Sequence, residues 1–432
     1  MKPAPVRRMV PRIKGCFFIF EKMGIPPSRG FIKSICGEGR NMNHRIYLDH
    51  AATTEQLQEV TYAMEPYFTK KFGNASTTYE LGAEARQAIA QAREQIAAAI
   101  HARPSEIFFT SGGSESDNWA VKGMAGVQKK RKKHIITSKI EHHAILHSCE
   151  HLESLGYKVS YLDVSKEAIA DVKQLESLLR EGSRSRNIEN KVSVVSVMYA
   201  NNEVGTIQPV EEIGKLCRKY DAIFHTDAVQ AVGQIPIHVK RLPVDMLSAS
   251  AHKFHGPKGV GFLYIRDGVD MPSFIHGGGQ ERGKRAGTEN VAGIVGMAAA
   301  LRIAQSEMVR KQKEETILRN YFIKEVLREI PDVRLNGHAE KRLPGNVNFS
   351  FAKVSGTALL VLLEEEGIYA SAGSACSAGT TSLSHVIKAI QVPKEYAYGT
   401  IRFSLGRETT KKEIQKTISV LKNLITMLRQ EV

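Results

Sequence analysis

The sequence predicts an α/β protein: a mainly parallel β-sheet covered by helices, followed by a smaller α+β unit. Three observations carry this expectation. Short apolar runs of strand length recur between residues 106 and 265. Helical patterns separate most of them. From about residue 300 the chain turns helical and charged, then gives two more strands and a last helix. Strands that alternate with helices are joined by crossovers, and crossovers build parallel sheets covered on both faces.

The elements follow in order. In "ELGAEARQAIAQAREQIAAAI" (80–100), Leu81, Ala85, Ile89, Ala92, Ile96 and Ala99 recur at spacings of three and four. That is one face of an amphipathic helix. Strand-like "EIFFT" (106–110), a turn, a helix over 116–127 and the strand "HIIT" (134–137) come next. Further strands are predicted at 158–162, 192–198, 222–226, 244–250 and 260–265, and later near 346–352 and 400–404. Residues 1–44 differ from the rest, with Pro and Gly breaks and no sustained periodicity. They read as an extension, disordered or an over-called start, and "CFFIF" is too short for the apolar region of a signal peptide.

Composition narrows the class. The chain has 432 residues and a net charge of +15. It holds no run of about 18 apolar residues, so no membrane span is expected. The five cysteines are odd in number and include no CxxC pair, which argues for a reducing compartment, read here as cytoplasmic, and against a thiolate-rich zinc site. The basic run "KKRKK" (129–133) reads as a solvated loop rather than a docking patch for an acidic partner or RNA. No direct contact with nucleic acid is expected, because few aromatic residues interleave with the charge.

In doubly wound sheets, ligands sit outside the carboxyl ends of the strands. After 106–110 comes "SGGSESDN" (111–118), a Gly-rich turn opening a helix, whose N–H groups and Ser114 hydroxyl could cradle a phosphate. It fits neither GxGxxG nor GxxxxGK[ST]. After the next strand comes "EHHAILHS" (141–148), in which His142 stands nearest the strand end. His143 and His147 are four apart, the spacing of a metal pair, although no metal site is expected there. Asn201 and Asn202, Asp227 and Gln230 follow two further strands. Asp227 could cap a helix or face a protonated heterocyclic nitrogen. Lys253 follows 244–250 within "AHKFHGPKG". A lysine at a buried strand exit is costly unless paired or neutral, and the neutral amine is the form that attacks a carbonyl. A phosphate cradle, a carboxylate, an amide and an imine-forming lysine together describe a site for pyridoxal 5′-phosphate.

At this point the chain resembles a NifS/IscS-like cysteine desulfurase, of the class V aminotransferase family. The matching segments include "IYLDHAATT" (46–54), "FTSGGSESDNWAVKG" (109–123), "EHHAIL" (141–146), "NNEVG" (201–205), "HTDAVQAVG" (225–233), "SASAHKFHGPKGVG" (248–261), "HGGGQERGKRAGT" (276–288), "SAGSACSAG" (371–379) and "IRFSLGR" (401–407). The resemblance implies a fold-type I transferase, with a mainly parallel seven-stranded sheet in a large domain over 56–307. A smaller domain from 45–55 and 308–432 is implied beside it.

The resemblance also implies roles. Lys253 would hold the cofactor, Asp227 would pair with its ring nitrogen, and Gln230 and Asn202 would serve its phenolic oxygen. His142 would stack on the ring and act catalytically as a proton shuttle. Gly113, Ser114, Ser250 and His252 would bind the phosphate, and Thr288 would reach the phosphate of the neighbouring subunit of a homodimer. Arg402 would bind the substrate carboxylate with Asn348 nearby, and Cys376 would be the nucleophile. The implied reaction converts L-cysteine to L-alanine and leaves sulfur on Cys376 as a persulfide, for an iron–sulfur scaffold or a tRNA-thiolation acceptor. No metal site is implied within the chain, although Cys376 could transiently ligate a cluster. Selenocysteine lyase and another class V aminotransferase are the alternatives. A non-enzymatic scaffold is disfavoured by the presence of Lys253, Asp227, Arg402 and Cys376. Departures from the family pattern are Ala75 and Tyr79 where Pro and His are usual, Gly113-Ser114 for Ala-Thr, and Leu383 for a Pro. The scaffold-docking tail of some members is not seen before Val432.

Overall fold

The computed structural model describes residues 45–128, 130–372 and 383–430. Its strands are β1 (Ile46–Tyr47), β2 (Ile107–Thr110), β3 (His134–Ser138), β4 (Lys158–Leu162), β5 (Val192–Ser196), β6 (Ile223–Asp227), β7 (Met246–Ser250) and β8 (Gly261–Ile265). Beyond them lie β9 (Val333–Leu335), β10 (Asn346–Phe351), β11 (Ile368–Tyr369) and β12 (Thr400–Ser404). The main sheet has seven strands in the order β2-β8-β7-β6-β5-β3-β4. Only β8 runs against its neighbours β2 and β7. The strands β3, β5 and β7 are buried along their whole length, as both-face coverage requires. A three-stranded antiparallel sheet, β12-β10-β9, and the parallel pair β1-β11 complete the topology.

Two large apolar clusters organise these layers. One contains Phe109, Val195, Phe224, Leu247 and Phe262, with Ile89 and Ile96 from the helix Glu80–Ala99. The other contains Ile46, Leu48, Phe349, Phe403, Leu421 and Ile425. A single 39-residue helix, Val291–Glu329, belongs to both. Its Ala-rich start (Ala292, Ala298, Ala300) packs in the first cluster, and Phe322 and Val326 pack in the second. The Phe322 ring meets those of Phe349 and Phe403 edge-on at 5.7 and 5.2 Å. Such pairs add about 0.5–1.5 kcal/mol each beyond area burial.

Some boundaries differ from the sequence expectation. The helix expected over 116–127 starts at Gly113, so the glycines read as a turn form its first residues. It passes through a π-helical stretch, Trp119–Gly123. The strand expected to reach 198 ends at Ser196, because the Met198 N–H turns to the Glu141 carboxylate instead, at 3.0 Å. The strand expected from 106 starts at Ile107. Glu106 closes a 3₁₀ turn, where its carboxylate accepts the Arg103 N–H at 2.8 Å.

Candidate active site

Five strand exits converge on one cavity of about 300 Å³, lined by Gly113, Ser114, His142, Asn202, Asp227, Gln230, Ser250, His252, Lys253 and Arg402. At the β2 exit, Gly112 has φ of 151°, which favours glycine. A Cβ on Gly113 would lie 2.6 Å from Val229 Cγ2, so glycine lets the backbone approach the loop after β6 without displacing the Val229 side chain. At the β3 exit, His142 caps the helix His143–Ser154, and its Nδ1 accepts the Ala144 N–H at 3.1 Å. That bond places the proton of the neutral ring on Nε2. Burial pushes the ring below its ordinary pKa, against the opposing pull of Asp227.

Asp227 ends β6 and accepts the Val229 N–H at 2.9 Å. Burial raises its pKa, while the nearby His142 pulls it down. Beyond β7, the turn Ala251–Lys253 brings Lys253 to the cavity, where Nζ donates to the carbonyls of Ala51 and Ala52 at 2.6 and 2.9 Å. Gln230 Nε2 donates to the same Ala51 carbonyl at 3.0 Å. Arg402, 1% exposed on β12, donates to Asp49 at 2.6 Å and to the Asn202 carbonyl at 2.9 Å. Two fixed acceptors orient the guanidinium plane, which suits it to fork onto a carboxylate.

The donor set fits pyridoxal 5′-phosphate. Lys253 would supply the amine for its aldehyde, Asp227 a buried carboxylate for its ring nitrogen, and Gln230 an amide for its ring oxygen. At the end of the cavity where β2 and β7 exit, Ser114, Ser250 and the glycine backbone would supply the neutral donors that a phosphate needs.

Two expected residues do not line the cavity of their own chain. Asn348 is fully buried on β10, opposite Arg402, where its Nδ2 donates to the Glu203 carbonyl at 3.0 Å. Thr288 is exposed and does not line the cavity of its own chain. Cys376 lies outside the described residues. His143 and His147 have ring centroids 5.0 Å apart, but no group of three or more His, Cys, Asp or Glu among the described residues could hold a metal ion.

Sequence reasoning missed three carboxyls that also line the cavity, those of Asp117, Glu141 and Glu203. Glu141 is fully buried, and its Oε1 accepts from Ser138 Oγ and the Met198 N–H. Burial pushes its pKa up to about 8. The folded protein therefore binds a proton at Glu141 that the unfolded chain has already released at neutral pH. Stability from this group is full below the ordinary carboxylate pKa and is lost as pH rises through about 8. Thermal melting of the cofactor-free protein is expected to weaken between pH 5 and 8 by less in Glu141→Gln than in wild type. Parallel melting curves for the two proteins would refute this.

The family description Aminotransferase class-V matches residues 46–417. The Cysteine desulfurase IscS of Dictyoglomus turgidum is 51% identical over 388 residues, which cover 90% of this chain and 96% of that protein. A solved NifS-like protein superimposes with a TM-score of 0.82 at 38% identity, covering 89% of this chain and all of its own. The structure described as SspA in complex with cysteine gives a TM-score of 0.72 at 36% identity, covering 83% of this chain and 98% of its own. The fold and the site thus define a pyridoxal-phosphate-dependent enzyme. The chain belongs to the class V aminotransferase family, and within it to the cysteine desulfurases.

Proposed function

We propose that this chain converts L-cysteine to L-alanine and passes the sulfur through Cys376 to an acceptor protein. The observation that carries the reading is the convergence of Lys253, Asp227, His142 and Arg402 on one cavity. A solved relative described in complex with cysteine supports the substrate. Pyridoxal 5′-phosphate supplies an electron sink when bound. Arg402 binds the substrate carboxylate, Lys253 Nζ takes and returns the α-proton, and Asp227 holds negative charge at the ring-nitrogen end. The Cys376 thiolate attacks the substrate sulfur, its S–S bond forms as the C–S bond breaks, and L-alanine leaves. A scaffold for iron–sulfur clusters or a tRNA-thiolation protein then takes the persulfide sulfur.

A homodimer is part of the reading. Thr288 is exposed, and Tyr62, Phe68, Phe72 and Tyr79 are 59–67% exposed within one short stretch of chain. Exposed apolar surface of this kind marks an interface. The division into a large domain over 56–307 and a smaller one from 45–55 and 308–432 rests on the two apolar clusters. A cytoplasmic location fits the cysteine pattern, and no helix among the described residues is long and apolar enough to cross a membrane.

The test is to incubate cofactor-loaded protein with L-cysteine and no thiol reductant, then quantify alanine and protein-bound persulfide. One alanine per persulfide in the first turnover is expected. Alanine without protein-bound sulfur would sink the reading, and a marked preference for selenocysteine would redirect it to a lyase.

A further inference from the structure

Glu281, Arg282 and Gly283 take three successive left-handed backbone conformations, with φ of 46°, 59° and 75°. Only the last is a glycine. Ordinary residues persist in such conformations where their surroundings impose them.

What imposes this turn is visible. The Glu281 side chain is 4% exposed and receives two hydrogen bonds from Arg93, at 2.7 and 2.8 Å. It also accepts the Phe109 N–H at 3.0 Å. Arg93 donates to the Ile107 carbonyl at 2.7 Å and lies 4.4 Å over the Phe109 ring. Arg282 donates to the same carbonyl at 2.9 Å and lies 4.0 Å over Phe108. The Ile107 carbonyl and the Phe109 N–H both belong to β2, the edge strand of the main sheet. An edge strand has unpaired backbone groups, and these side chains satisfy them where another strand would.

The turn has a direction. Four residues on, Arg285 forks onto Glu115 at 2.8 and 3.0 Å, beside the Gly113 turn. Three residues later the exposed Thr288 stands away from the cavity of its own chain. The strained turn and its two anchors therefore fix where Thr288 leaves the surface.

We propose that Arg93 and Glu281 are positioning residues, holding the 281–283 turn so that Thr288 reaches the phosphate end of the cofactor site in a second copy of this chain. This rests on the dimer reading above. Neither residue touches substrate or cofactor. Their effect is preorganisation: with the pair intact, Thr288 is already in place when the phosphate arrives.

The experiment titrates pyridoxal 5′-phosphate into cofactor-free wild type, Arg93→Met, Glu281→Gln, Thr288→Ala, and each of the first two combined with Thr288→Ala. Glu281→Gln is nearly isosteric and keeps an acceptor for the Phe109 N–H, which guards against a folding failure in Arg93→Met. Each single variant is expected to weaken cofactor binding about tenfold or more, the scale of released backbone strain. The KM for L-cysteine at saturating cofactor is expected to stay within about twofold, because Arg402 is untouched. In the Thr288→Ala background, the Arg93 and Glu281 changes are expected to add almost nothing, since the residue they position is gone. Fully additive losses, or unchanged cofactor affinity in Arg93→Met and Glu281→Gln, overturn the proposal and leave the dimer reading standing. Unchanged affinity in Thr288→Ala overturns the dimer contact and the proposal with it.

Discussion

Lys253→Ala is expected to lower alanine formation from L-cysteine by at least about 10⁴-fold, the upper range for losing a positioned acid–base group. The bound-cofactor absorption in the visible should vanish as well. Lys253 has no stand-in. The other described basic groups lining the cavity are His142, His143, His252 and His385, each pushed below its ordinary pKa by burial, and the guanidinium of Arg402, and none of them is a primary amine. A guanidinium does not deprotonate in proteins, so Lys253→Arg should fail equally although it keeps the charge. Comparing the two variants separates charge from chemistry. If Lys253→Arg retained more than about a hundredth of the wild-type rate, the lysine would be serving as a point charge and its assigned role would be wrong.

The strands that carry this lysine were legible because parallel-sheet strands are buried on both faces and so read as apolar runs. Predicted and observed ranges agree at β4 and β12 and differ by one or two residues at the other expected strands, while the short strands β1, β9 and β11 were not expected. The site was legible because its side chains stand at strand exits, as Asp227 ends β6 and Lys253 follows β7. Three kinds of feature gave no signal. The acceptors of Lys253 are backbone carbonyls of Ala51 and Ala52, and a backbone group leaves no mark on residue type. The turn at 281–283 uses two non-glycine residues at positive φ, where pattern reading expects glycine or asparagine. Glu141 looks like any charged loop residue until the fold buries it completely. The long helix was seen only from about residue 300, because its first turns are buried nearly all round and lack amphipathic contrast.

Cys376→Ala is expected to abolish persulfide formation and to lower alanine release by at least about 10³-fold, while leaving cofactor binding intact. Two structural facts support an effect of this size. First, the other cysteines among the described residues cannot replace it. Cys149 and Cys217 are fully buried, and burial pushes the Cys149 thiol up to about 12 and raises Cys217 as well. Neither forms a thiolate near neutral pH, and the thiolate is the nucleophile. Second, the described chain before and after Cys376 is fastened to the cavity. Ser371 exchanges backbone hydrogen bonds with Arg402 at 2.6 and 3.1 Å. Ser384 Oγ donates to Glu203 at 2.6 Å, and the His385 ring meets the Glu141 carbonyl at 2.9 Å. The neighbours of Cys376 in "SAGSACSAG" are all small. The measurement is alanine by amino-acid analysis together with the cofactor spectrum of the variant. Loss of both signals would show that the substitution damages the site itself, and native alanine release would show that Cys376 is not the nucleophile.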